Sequence, residues 1–184
     1  MPTKHKQEDL FSVQLDQINQ MAAQINIVIK DMELFYVDVD ITFEELLQQI
    51  GERLSPYSDR SQIIREDLMR REQVSSQIFA EFGFALLHTR TKGVTRPVFA
   101  VCMPDGNVAF KDTYFKQITV AFVMLVPDDE LVKINNDIMG HISGMLIEEL
   151  EFMEVAEQGD KEQIRTLLSK HLKQYFRKYI SGLS

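Results

Sequence analysis

Few side chains in this sequence can do chemistry near neutral pH. Histidine stands at positions 5, 88, 141 and 171, and the single cysteine is Cys102. No His-x-x-x-His pair or His/carboxylate cluster has the spacing of metal ligands, so no metal and no cofactor is expected. Gly-x-Ser-x-Gly, Ser-x-x-Lys and phosphate-cradling glycine loops are also missing. Cys102 lies inside the apolar run "PVFAVCMP", where a thiol behaves as a small hydrophobe. His5 belongs to a polar tail. His141, between Ile138 and Ile142, reads as a helix boundary, and His171 falls on an apolar helical stripe as a structural residue.

His88 has a different setting. In "FGFALLHTRTKGVTRP" it closes the apolar run Phe84-Ala85-Leu86-Leu87 and opens the polar cluster Thr89-Arg90-Thr91-Lys92-Gly93. A histidine there is anchored by its neighbours and can still present one ring nitrogen to solvent. If the other nitrogen donates to a backbone carbonyl, the tautomer is fixed and the exposed nitrogen keeps a nucleophilic lone pair. Such a nitrogen can accept a phosphoryl group in line, given positive charge or amide donors nearby. Arg90 and Thr89 are local candidates, and Arg70 and Arg71 can come from the preceding helix. The residues alone leave both readings open, structural and reactive.

The elements that must position His88 follow from hydrophobic periodicity. From Leu15, the residues Ile18, Met21, Ile25, Val28, Ile29 and Met32 recur at three- and four-residue steps, which predicts a helix. "MELFYVDVDI" alternates and suits a short strand. Thr42 and Glu45 form a capping box before a helix with the stripe Phe43, Leu46, Leu47, Ile50 and Leu54. A loop at Pro56 precedes a helix over roughly 59–71, with Ile63, Ile64 and Leu68 inward. "FALLH", "PVFAVCMP" and "QITVAFVMLVP" then read as strands buried on both faces, the last two joined by the turn-rich "DGNVAFKDTYF". After Pro127 come a helix with the stripe Leu131, Ile134, Ile138, Ile142 and Met145, and a short helix over 148–157. Gly159-Asp160 ends that segment and caps a last helix with the stripe Ile164, Leu167, Leu168, His171, Leu172, Tyr175, Phe176 and Tyr179. Helices, strands and helices in that order predict a sheet with helical cover in one domain.

Bulk properties exclude several classes. With 184 residues, 45% hydrophobic and 26% charged, the chain suits one soluble globular core. A net charge of -8 argues against a phosphate-backbone binder, so no direct nucleic-acid binding is expected. The apolar runs are too short to span a bilayer, and "MPTKHKQEDL" lacks a signal peptide's apolar core. Residues 1–10 read as a flexible tail or linker remnant and 11–184 as the domain. A single cysteine suits a reducing, cytoplasmic location.

The stretch "RREQVSSQIFAEFGFALLHTRTKGVTRPVFAVCMPDG" resembles the core of a bacterial phosphotransferase-system enzyme IIA domain of the fructose/mannitol class. The matching residues are Arg71-Glu72, Ser76, the Gly83-to-His88 run, Arg90-Thr91 and Gly93-Val94. The resemblance implies an α/β fold, a small mixed sheet sandwiched between helices. It implies that His88 accepts a phosphoryl group from the phosphohistidine of the carrier protein HPr and that Arg71 compensates the phosphate charge. It makes the chain a phosphoacceptor rather than a stand-alone enzyme. Two positions depart from the sugar-transporting members. Leu87 stands where proline precedes the histidine, and Asn135 registers with a second active-site histidine, His141 lying six residues further on. These departures resemble the regulatory IIA-like domains at the C-termini of sugar-operon antiterminators and activators. On that reading the chain is a fragment of a longer regulator, with neighbouring regulatory or IIB-like domains as partners. The alternatives are a transport component relaying phosphate to a IIB cysteine, and an interaction domain that no longer accepts phosphate. Self-association as a homodimer stays open.

Overall fold

The structure, a computed structural model, describes residues 4–55 and 57–183, with side chains from residue 9 onward. Pro56 and the His5 side chain lie outside the described residues. Helix α1 covers Lys4–Lys30, so the segment expected as a tail is helical from Lys4. The remaining elements are β1 (Glu33–Val37), α2 (Phe43–Leu54), α3 (Ser58–Val74), β2 (Ile78–Phe79), β3 (Phe84–Thr91), β4 (Val98–Pro104), β5 (Val120–Pro127), α4 (Val132–Glu148), α5 (Leu150–Glu157) and α6 (Lys161–Leu183).

The capping box forms as its spacing predicts. The Glu45 amide donates to Thr42 Oγ1 at 3.2 Å, and the Thr42 amide donates to the Glu45 carboxylate at 2.8 Å. Two donors that an open helix start would leave unpaired are thereby satisfied. The next helix is longer than its apolar periodicity shows, running to Val74. Its final turn is polar and belongs to the site described below.

The five strands form one mixed sheet in the order β1-β4-β5-β3-β2. β1 runs parallel to β4 and β3 parallel to β5, while β4–β5 and β2–β3 are antiparallel. Side chains alternate across a strand, so the buried runs feed two cores. Phe84, Leu86, Phe122 and Met124 face α1, α4, α5 and α6. Ala85, Leu87, Val123 and Leu125 face α2 and α3. This is the α/β sandwich of helices about a small mixed sheet. β2, only two residues long, was not legible as a strand. Its shortness leaves the second half of β3, where His88 sits, at an edge of the sheet.

Candidate functional site

His88 shares the face of Leu86 on β3 and lies in register with Met124 of β5. It is half-buried. Its ring Nδ1 lies 3.0 Å from the Leu86 carbonyl oxygen, which can only accept. The proton therefore sits on Nδ1, and Nε2 keeps its lone pair. Nε2 has no partner among the described residues. Burial pushes the His88 pKa below its ordinary value; the Leu86 carbonyl works in the opposite direction, and the Arg71 charge adds to the lowering. The neutral ring needed for nucleophilic attack is thus the resting form at neutral pH.

The backbone of His88 is held by a network that the sequence did not announce. Its amide donates to Gln77 Oε1 at 2.7 Å, while the Leu86 amide donates to the Gln77 carbonyl at 2.8 Å. Gln77 is buried, and its position is set by Glu72 in the last turns of α3. Glu72 Oε2 accepts from the Gln77 amide at 2.8 Å and from Gln77 Nε2 at 3.3 Å. Glu72 Oε1 accepts from Ser76 Oγ at 2.9 Å and from the Tyr114 hydroxyl at 2.8 Å. A buried carboxylate without a cation is costly, and these four donors supply the compensation that an ion pair would otherwise give. Desolvation, reinforced by the hydrogen bond to Glu72, pushes the Tyr114 phenol up to about 12, so it stays a donor.

His88 opens onto a cleft of about 500 Å³ lined by Arg71, Thr89, Arg90, Met124, Val126, Asn136, Met139, Gly140 and Ser143. Both cations in that lining were candidates from the sequence, and the structure brings them to His88. Arg71 reaches it from the end of α3, donating to the Ser75 carbonyl at 3.2 Å, with no acidic partner among the described residues. Arg90 is committed elsewhere in part. Its Nε donates to Asp128 Oδ1 at 2.7 Å across the end of β5. Thr89 lines the cleft, with its hydroxyl donating to the Arg90 carbonyl. Arg70 pairs with Asp67 on the helix surface and lies outside the lining.

The second-histidine register is not met by Asn135. That residue is fully buried toward α1, and its Nδ2 donates to Gln24 Oε1 at 3.0 Å. The next residue, Asn136, lines the cleft, one helical step away. Nor does His141 reach the cleft. It sits in the middle of α4 rather than at a boundary, with its ring stacked on Tyr175 at 4.5 Å. His171 is half-buried on α6, off the cleft, as its stripe position suggested. Cys102 is buried on β4, and burial pushes its thiol far above the ordinary range. Among the described residues, no group of three or more His, Cys, Asp or Glu side chains could hold a metal ion. No described helix is long and apolar enough to cross a membrane.

A sheet-edge histidine with a fixed tautomer, beside an arginine free of carboxylates, is a geometry suited to transient phosphoryl chemistry. The family model described as "Phosphoenolpyruvate-dependent sugar phosphotransferase system, EIIA 2" matches residues 29–171, and the chain belongs to that family. Most of α1 and the end of α6 lie outside the matched region. Among solved structures, the nitrogen regulatory protein IIA-Ntr from Neisseria meningitidis has a similar fold. The TM-score is 0.60 at 20% identity, covering 77% of this chain and 99% of that one. No curated protein matches the chain.

Proposed function

We propose that the chain is a regulatory phosphoacceptor domain in which His88 Nε2 takes a phosphoryl group from the phosphohistidine of HPr. Attack by the Nε2 lone pair forms the new N–P bond as the N–P bond of the carrier breaks. The carrier imidazole leaves with the bonding electron pair, and the His88 proton stays on Nδ1, hydrogen-bonded to the Leu86 carbonyl. Arg71 offsets the charge of the transferred group. The observation that carries this reading is the His88 Nδ1 contact to the Leu86 carbonyl at 3.0 Å, which leaves Nε2 to the cleft.

A regulatory role of the fructose/mannitol-class kind, within a sugar-operon transcription regulator in the cytoplasm, is favoured over sugar transport. α4 offers Asn136, Gly140 and Ser143 to the cleft and no second imidazole, while Leu87 precedes His88. A phosphohistidine then acts as a charge signal read by a neighbouring domain.

Incubation with phosphoenolpyruvate, the general phosphotransferase enzyme and HPr tests the proposal by intact mass. One acid-labile phosphoryl group is expected on the wild-type chain and none on His88→Ala. An unmodified wild-type chain would refute phosphoacceptance. Efficient onward transfer to a IIB cysteine would replace the regulatory reading with the transport one.

A further inference from the structure

A second concave site lies outside the His88 cleft and shares none of its lining residues. It encloses about 290 Å³ where the end of α2, the start of α3 and the β3–β4 loop meet. Three arginines line it: Arg53, Arg60 and Arg96. Its two acids are already neutralised. Asp31 binds Arg96 at 2.9 Å, and Glu33 pairs with Lys161 at 3.6 Å. Arg53 and Arg60 have no carboxylate and no hydrogen-bond acceptor among the described residues.

Both of these guanidinium groups are nevertheless held in place. Arg53 lies over the Phe35 ring at 5.7 Å, and Arg60 over the Tyr57 ring at 5.5 Å. Packing on a ring face restrains the guanidinium plane and leaves its N–H edge free for an acceptor. The backbone of the facing loop is also pinned. A side chain at Gly93 would meet Ile64 and the Arg60 carbonyl, so loop and helix approach as closely as glycine permits. Two guanidinium groups without an acidic partner among the described residues thus line one shallow enclosure on a chain of net charge -8. Concave walls strengthen such a local field.

We propose that this cleft binds a small phosphate-class oxyanion, inorganic phosphate or the phosphate of a monoester, between Arg53 and Arg60. Two forked donors arriving from different helices suit a tetrahedral group, whose several oxygens can serve both at once. The site is independent of phosphoryl transfer at His88, and either can fail alone.

Titration of the full chain with inorganic phosphate at constant ionic strength, followed by amide and arginine Nε–H resonances, tests the proposal. Saturable shifts are expected at Gly93 to Arg96 and at the Nε–H of Arg53 and Arg60. Arg60→Gln should weaken binding about tenfold, the usual effect of losing a charged hydrogen bond. Arg53→Gln with Arg60→Gln should abolish saturation, and Arg177→Gln on exposed α6 should change nothing. Unfolding midpoints confirm that each variant is folded; if the double variant is not, the single one decides. Linear shifts, an equal response to acetate or chloride, or shifts confined to residues around His88 would overturn the assignment.

Discussion

Replacing Glu72 by alanine should cost stability and phosphoryl acceptance together, by an amount that follows from its four hydrogen bonds. Two of the donors belong to buried Gln77, and Glu72 is the acceptor that each has among the described residues. A buried donor left unpaired costs about 1–3 kcal/mol, whereas Ser76 and the half-exposed Tyr114 can turn to water at about 0.5 kcal/mol each. Removing a buried, otherwise unpaired charge gives part of this back. The net expectation is a loss of about 3 kcal/mol, within the reach of a domain stable by about 5–15 kcal/mol. With a urea m-value of about 2 kcal/mol/M, the unfolding midpoint should fall by about 1.5 M. Glu72→Gln keeps the shape but turns an amide NH₂ toward donors, and should fall between the two. In the folded variant Gln77 is no longer steered onto the His88 amide, so the initial rate of phosphorylation by HPr should drop more than that of a surface variant of equal stability. A midpoint shift below about 0.3 M would refute the argument that Glu72 is the anchor of the site.

Other outcomes follow from the same geometry. The His88 pKa is lowered by burial below its ordinary 6.5, so the native ring binds its proton later on acidification than the unfolded one. Its contribution to stability is therefore complete above 6.5 and is lost as the pH falls through the lowered value. Phosphorylation rates should be flat from neutral pH down to about 6.5 and decline only below it; a decline that begins above that point would contradict the neutral resting form. Arg71→Ala should lower the yield or lifetime of the phosphorylated form about tenfold, with little change in the unfolding midpoint. Unchanged yield would remove Arg71 from the site. Cys102 should resist a thiol reagent in the native chain and react fully in denaturant.

Much of the scaffold could be read along the chain because local rules set it. The Thr42–Glu45 box, the stripes of α2 and α6, and the two-faced burial of β3, β4 and β5 all follow periods that neighbouring residues define. His88 and Arg71 were readable as a pair because the resemblance ties them together. Glu72 was quoted within that resemblance, but its burial and its role as anchor were not legible. Gln77 and Tyr114 were missed as site residues, and the reason is physical. A glutamine after a polar helix end looks solvated, and only the close return of β3 beside it makes it buried. Tyr114 reaches Glu72 from a loop far along the chain. On α4 the error was one of rotation. Apolar residues face both α1 and the sheet, so the stripe does not say which asparagine turns to the cleft. Asn135 went to Gln24, and Asn136 took the open side.

Gln77 has a further consequence for the exposed edge of the sheet. β2 begins only at Ile78, opposite Ala85, so the outer amides of β3 beyond that point would stand ready to pair with a strand from elsewhere. Gln77 answers two of them, its backbone carbonyl taking the Leu86 amide and its side-chain carbonyl taking that of His88. The side chain stands in for an earlier residue of a strand that has not yet begun, since β2 starts at Ile78 and runs antiparallel to β3. Filled at these two amides, the edge offers fewer free donors to an incoming strand at the residue that must stay accessible. Gln77→Ala should therefore sediment as larger species with rising concentration, to a degree that the wild-type chain should not match.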